Sequence, residues 1–349
     1  MPRSKNPHIL VIRLSSMGDV AMTVPVLLAL LQTYPELRLS VLTKPSFSPI
    51  FKVLERVRVI PADVRGRHKG VVGLWNLYKT LRKERVDAVA DLHNVLRSKI
   101  LKLFFSSSKI PFVQLDKGRA EKKALTSRRN KVFEPLLSTH ERYANVFGKL
   151  GYPINLKKVE LLPRQPLPEA MRHRIGNDRR KWIGIAPFAA FPGKQYPIHL
   201  METVLREIES TEKYKIFLFG GGLEEERQLA AWALKFRACF NVAGTGGLDE
   251  ELALISNLDL MVSMDSGNAH LASNYGIPTL TLWGVTHPYT GFYPFGQNAD
   301  LAFLADRTLY PGIPTSIYGK YVPAGYEKAM ETIAPETVVK KIVEITSGH

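Results

Sequence analysis

Residues 258 to 284 read LDLMVSMDSGNAHLASNYGIPTLTLWG. Leu258 to Ser263 is a short apolar run with strand character, and Met264-Asp265-Ser266-Gly267-Asn268 are turn and capping residue types. His270 to Tyr275 continues as a helix, and Thr279 to Trp283 is another buried strand. Strands that alternate with helices in this way belong in a parallel sheet whose two faces are both covered.

The same alternation extends outward. Upstream, Trp182 to Pro187 reads as a strand, Ile198 to Thr211 as a helix, Lys215 to Phe219 as a strand and Glu224 to Arg237 as a helix. In the first half, Ile9 to Leu14 leads through Ser15-Ser16-Met17-Gly18-Asp19 into a helix from Val20 to Tyr34. Leu39 to Thr43, Val57 to Ile60, Ala88 to Leu92 and Lys109 to Val113 add short strands. Pro163, Pro166 and Pro168 interrupt the pattern. The reading is an α/β protein of two doubly wound Rossmann-like domains, residues 1–165 and 181–330, with a linker at 166–180. An amphipathic C-terminal helix, Pro335 to Thr346 within residues 331–349, is expected to pack back on the first domain.

A 45% hydrophobic and 23% charged composition is that of a globular chain, and no apolar run reaches the length of a membrane span. Arg3 and Lys5 precede a strand rather than a signal sequence, and a single cysteine, Cys239, excludes an internal disulfide framework. A cytoplasmic location is the expectation. Subtracting 32 acidic from 48 basic residues leaves +16, which points to a polyanionic partner. Arg65, Arg67 and Lys69 form one basic cluster, and Lys117, Arg119, Lys122, Lys123, Arg128, Arg129 and Lys131 form another. Both fall in the first half, which suggests an anionic ligand on the N-terminal domain; a merely solvated face also fits. These cations are not interleaved with aromatics in a nucleic-acid motif, so nucleic acid is not the expected partner.

In open parallel sheets, ligands sit beyond the carboxyl ends of the strands. Asp19 and Asp265 fall at such ends. Each also suits helix capping, so residue type leaves both roles open. Gly18 permits a tight turn, and Ser266, Gly267 and Asn268 open the helix that carries His270. Gly220-Gly221-Gly222 before Glu224 makes room against a ligand, with a carboxylate suited to ribose hydroxyls. Lys194 lies in the loop after the second domain's first strand. No dinucleotide fingerprint and no phosphate-loop lysine motif is present.

Taken together, Ile12 to Val20, Asp91-Leu92-His93 with Arg97-Ser98, Lys194 to Pro197, and Ser263 to Gly284 continuing into Val285-Thr286-His287-Pro288 resemble the lipopolysaccharide heptosyltransferases of glycosyltransferase family 9. The likeness spans essentially the whole chain. It implies a GT-B fold with the active site in a central interdomain cleft, an inverting reaction and ADP-L-glycero-D-manno-heptose as donor. It also implies an anionic lipid A/Kdo glycolipid as acceptor, reached at the anionic inner membrane. By the resemblance, Asp19 is the catalytic base. Lys194, Glu224, Gly246, Asp265, Ser266, Gly267 and His270 bind the donor, and Ser16, Gly18, His93 and Arg97 lie on the acceptor side, to which the first basic cluster adds Arg65 and Arg67 as expected contacts for an anionic acceptor. No Asp-x-Asp tripeptide occurs, so neither a metal nor another cofactor is expected. The chain departs from the pattern at Ala189, Ala190 and Phe191, where relatives often carry hydroxyls, and lacks the cysteines frequent in relatives around Leu309 to Tyr326. Competing readings are a transferase or epimerase of the same fold using a different nucleotide sugar, and a basic nucleotide- or polyanion-binding protein without catalysis.

Overall fold

The computed structural model describes residues 6–176 and 178–348; Arg3 and Lys5 lie outside them. Contacts divide the chain into two compact units. The first runs to Lys117 and resumes over Thr139–Leu161; the second comprises Gly118–Ser138 and the chain from Leu162 onward.

The first unit is built on a parallel sheet of β1 (His8–Ile12), β2 (Arg38–Thr43), β3 (Val57–Pro61), β4 (Ala88–Asp91) and β5 (Phe112–Gln114), in the order β3-β2-β1-β4-β5. Ile12 stands between Leu42 and Asp91, so the ends of β1 and β4 are neighbours. The helices are α1 (Met17–Ala21), α2 (Val24–Thr33), α3 (Gly70–Lys83) and α4 (Leu96–Phe105). After α5 (Arg119–Leu125), which belongs to the second unit, α6 (Thr139–Lys149) completes the set. The single helix expected from Val20 to Tyr34 is two helices. Pro25, without an N–H, sits in the first turn of α2, where no donor is needed. Leu10, Ile12, Leu42, Leu77, Leu81 and Leu101 are closed off from solvent between α3, α4 and the sheet.

The second unit carries α7 (Glu169–Ile175), β6 (Lys181–Ala186), α8 (Ile198–Glu209), β7 (Tyr214–Leu218), α9 (Leu223–Lys235), β8 (Cys239–Asn241) and α10 (Leu248–Ile255). It continues with β9 (Leu260–Met264), α11 (Gly267–Ser273), β10 (Thr279–Trp283), β11 (Ala302–Leu304) and α12 (Pro335–Ser347). Its six parallel strands run β11-β10-β9-β6-β7-β8. The two edge strands have three residues each, too few for a periodicity to register, and β11 is not foreseen in the sequence.

Three expectations about domain limits are corrected. The C-terminal helix packs on the second unit, not the first: Val338 and Ile342 join its core, and Tyr214 Oη lies 2.9 Å from Thr346 Oγ1. The proline-rich linker is fastened to the same unit. Leu162 N–H donates to Asn274 O at 3.0 Å, and the buried Lys215 ammonium donates to Ile175 O at 2.6 Å.

The third correction concerns the basic segment 118–138, expected on the N-terminal domain, which is strapped to the second unit. Lys122 lies over the Phe292 ring at 4.7 Å, Arg128 donates to Tyr321 Oη at 2.9 Å, and Lys131 donates to Leu125 O and Pro314 O at 2.7 Å each. Arg307 stacks in return over Phe133 at 3.4 Å. Cations settle on aromatic faces and carbonyls wherever these are offered, and chain order does not say where that is. Burial beside Arg307 lowers Lys131 to about 8.

Both sheets reverse direction once. The chain builds β1-β2-β3 one way and then β4-β5 on the other side of β1; it builds β6-β7-β8 and then β9-β10-β11 on the other side of β6. Crevices at such topological switch points are where α/β sheets bind ligands.

Candidate active site

In the first unit the switch point lies between β1 and β4. Ser16 precedes α1, and Asp19 stands one turn in. Its Oδ2 accepts from the Ser16 backbone N–H at 3.2 Å and from Ser16 Oγ at 2.8 Å. The capping role is therefore filled, but it is not the whole arrangement. Arg13, buried just past β1, pairs with Asp19 Oδ2 at 2.5 Å and donates from its other terminal nitrogen to Leu92 O at 2.6 Å, beyond β4. One guanidinium thus ties the ends of both strands together, its fork engaging two acceptors at once. Tyr143 from α6 donates to Asp19 O at 3.3 Å, with its ring 5.8 Å from the guanidinium. The Asp19 side chain keeps 24% of its surface exposed, so a hydroxyl can reach it.

Beyond β4, the buried Asp91 shapes the turn. Its Oδ1 accepts from the N–H groups of His93 and Asn94 at 3.0 and 2.9 Å, and its Oδ2 accepts from Gln114 at 2.9 Å. This sets His93 beside the pair. Burial, then the charges of Arg13 and Lys117, push the imidazole down to about 3, so it is neutral near pH 7. Among the described residues, nothing bonds to its buried Nδ1. Arg97 is exposed in the first turn of α4. Arg65 and Arg67 are exposed at the end of β3, two strands from β1. There Asp63 accepts from the N–H groups of Gly66 and Arg67 at 2.8 and 3.1 Å.

In the second unit the switch point lies between β6 and β9. Asp265 follows β9, and its carboxylate is 4% exposed. Its Oδ2 meets Lys194 Nζ at 2.8 Å and accepts from Thr286 Oγ1, past β10, at 3.0 Å; Lys194 also donates to Asp265 O at 3.2 Å. Three strand ends are thereby joined. A buried ion pair adds little stability once desolvation is counted, so its placement at a switch point reads as functional.

Lys194 is brought there by close backbone packing. Gly193 donates to Gly319 O at 3.1 Å and accepts from Val285 N–H at 2.9 Å, leaving no space for a side chain. Gly319 (φ +72°) passes so near the lysine stem that a methyl group there would stand 2.6 Å from Lys194 Cγ. Gln195 braces the same loop from Pro187 O at 2.6 Å and Ala189 N–H at 3.0 Å.

Ser266 is linked to Ser263 at 2.9 Å, Gly267 begins α11, and His270 is buried within that helix. Glu224 and Gly246 fall at the ends of β7 and β8. Glu224 is exposed and pairs with Arg227 at 3.1 Å, while Glu225 and Glu226 hold the glycine turn through the N–H groups of Gly221 and Gly222 at 2.9 and 3.2 Å. From Asp265 through Lys194 and Glu224 to Gly246, the residues follow four adjacent strands. Strands stand about 4.8 Å apart, so this row suits an elongated ligand laid across their ends.

The arrangement includes residues to which sequence reasoning assigned no role. Arg13 had a signal: a charge at the end of an apolar strand must find a partner if buried. Thr286 lay within a family-like segment without a stated task. Tyr143 and Gly319 come from distant parts of the chain and carry no local sign.

Two parallel-sheet α/β units, each with a carboxylate and a cation at its switch point, are the architecture of the GT-B fold class. The family model of glycosyltransferase family 9 (heptosyltransferase) matches residues 74–311, more than half of the chain, which therefore belongs to that family. Lipooligosaccharide heptosyltransferase 2 of Haemophilus influenzae is 28% identical over 97% of this chain and 99% of its own length. Among solved structures, a family 9 glycosyltransferase from Veillonella parvula covers 99% of both chains with a TM-score of 0.76 at 19% identity. E. coli ADP-heptose LPS heptosyltransferase II covers 97% of this chain and 98% of its own with a TM-score of 0.68 at 21% identity. At these identities the two structures speak for the fold.

Proposed function

We propose that this enzyme transfers heptose from ADP-L-glycero-D-manno-heptose, with inversion, onto the Kdo/heptose inner core of lipopolysaccharide. The reading is supported by the relatives' activities, as their names state them, and by one observation above all: a solvent-reachable carboxylate at one switch point and a lysine-bearing carboxylate at the other. The first suits proton removal; the second suits a departing diphosphate.

In this mechanism Asp19 takes the proton of the acceptor hydroxyl, which Ser16, Gly18, His93 and Arg97 help to place. The freed oxygen lone pair attacks the anomeric carbon from the face opposite the diphosphate. The bond from that carbon to the phosphate oxygen breaks, and its electron pair leaves with ADP. Lys194, steadied by Asp265 and Thr286, faces the charge that develops there. Ser266, Gly267 and His270 line the same strand end, with Glu224 and Gly246 toward the nucleoside.

Because Lys194 brings a fixed positive charge to the phosphates, the proposal includes a metal-independent reaction. Work at the cytoplasmic face of the inner membrane, beside an anionic lipid A/Kdo acceptor, is part of the same reading. Ala189, Ala190 and Phe191 favour one second reading, a different nucleotide sugar, because phosphate contacts from hydroxyls are absent there. The test is a mass-spectrometric transfer assay offering ADP-heptose and UDP-sugars with extracted core acceptors. ADP-heptose turnover that persists in EDTA is expected. Exclusive use of another donor, or loss of activity on chelation, overturns the corresponding part.

A further inference from the structure

On the first unit, α3 and α4 present an outer face that the switch-point chemistry does not use. Val71 and Val72 are 60% and 75% exposed in the first turn of α3, and Trp75 stands one turn on. On α4, Leu103 is 68% exposed beside Phe104, whose ring meets Trp75 edge-on at 5.0 Å, so the two helices share one apolar patch. Soluble chains rarely leave large apolar side chains contiguous and exposed without a partner.

The same stripe turns cationic further along. Trp75, Lys79 and Arg82 are spaced i, i+4 and i+7, one face of a helix. Lys79 and Arg82 line an open cavity of about 590 Å³ together with Arg85, Lys109, Ser107 and Ser108. No carboxylate lines it among the described residues, and none of its four cations is in an ion pair there. Glu84, next in sequence, is engaged instead by Arg58 at 3.0 Å. The carbonyl end of α3 attracts Arg82, but Lys79 lies a turn earlier and Lys109 comes from another segment. Neither α3 nor α4 contains an acidic residue.

Four mutually repelling cations around a cavity, beside exposed valines, leucine and tryptophan, match a surface that is anionic at its face and apolar beneath. We propose that the outer face of α3 and α4 docks the enzyme on an anionic phospholipid bilayer. Val71, Val72, Trp75 and Leu103 enter the interface, and Lys79, Arg82, Arg85 and Lys109 hold a lipid phosphate. This deepens the membrane-surface element of the proposed function by naming its face, and it does not depend on which sugar is moved.

Co-sedimentation of the full chain with phosphatidylcholine vesicles, with and without phosphatidylglycerol, tests it. The quadruple variant Lys79→Ala, Arg82→Ala, Arg85→Ala, Lys109→Ala is expected to lose on the order of several hundredfold in binding to the anionic vesicles, since each cation near such a surface contributes roughly fivefold. Lys213→Ala, Arg237→Ala, Lys328→Ala, Lys340→Ala, a charge-matched change on the second unit, is expected to lose little. Val71→Ser with Val72→Ser, exposed and harmless to the core, weakens binding without changing charge. Transfer to a soluble, delipidated acceptor stays at the native rate in all three.

Equal losses in the two quadruple variants overturn the proposal, as does unchanged binding in the first. Competition by inorganic phosphate alone, or dimerisation abolished by the valine changes, assigns the face to a free anion or a second copy instead. Vesicle binding that follows the prediction in a protein without heptose transfer leaves the docking face standing and removes the heptose reading.

Discussion

The two switch points are built from the same parts and differ in one respect. At each, an aspartate beyond a central strand meets a cation. In the first unit that cation, Arg13, directly follows the strand that leads into Asp19, six residues upstream of the carboxylate, and it leaves the carboxylate partly open. In the second, Lys194 arrives from the loop after β6 and Thr286 from the end of β10, and they close over Asp265 almost completely. An open carboxylate can receive a proton from a substrate. A covered one serves to hold its partners, so Asp265 reads as the residue that positions Lys194 rather than as a second base.

The largest expected effect tests the open site. Asp19→Asn keeps an acceptor for Ser16 but removes the base, so kcat should fall by about 10² to 10⁴ while KM for the nucleotide sugar holds. Near-native turnover would make the two sites equivalent and end the distinction. Lys194→Met should lower kcat by about 10² to 10³. It should also lower Tm, because Asp265 is left buried without its cation, and steady-state kinetics with a melting curve read both.

His93 sharpens the electrostatic side of the contrast. Its folded value, about 3, lies below the ordinary 6.5, so the unfolded chain binds the extra proton and stability falls as pH drops through 6.5 toward 3. Urea unfolding at pH 7 and pH 5 should show His93→Gln losing about 2 kcal/mol less than the native chain over that interval. Equal losses would mean the imidazole is charged in the folded protein. The smallest effect belongs to the closed site: Gly319→Ala, at φ +72° and against the Lys194 stem, should cost about 1 kcal/mol and raise the donor KM.

Much of this molecule is legible one segment at a time. Thr279 to Trp283, expected as a strand, is one, because a short run of β-branched, aliphatic and aromatic residues bounded by Gly-Ile-Pro and Gly has strand character without reference to anything distant. Asp19 and Asp265 could be placed at strand ends for the same reason. Their different exposures could not, since these depend on Lys194, Thr286 and Tyr143, which chain distance separates from the two aspartates and packing brings to them.

The residue order alone determined the alternation of strands and helices, the two sheets and the positions of the candidate carboxylates, all of which follow from local periodicity and turn chemistry. Tertiary structure decided which unit holds segment 118–138 and α12, which cation meets which carboxylate, and that Trp75, Lys79 and Lys109 share one face. Those outcomes turn on which side chains exclude water together, a quantity that exists only once the chain has folded.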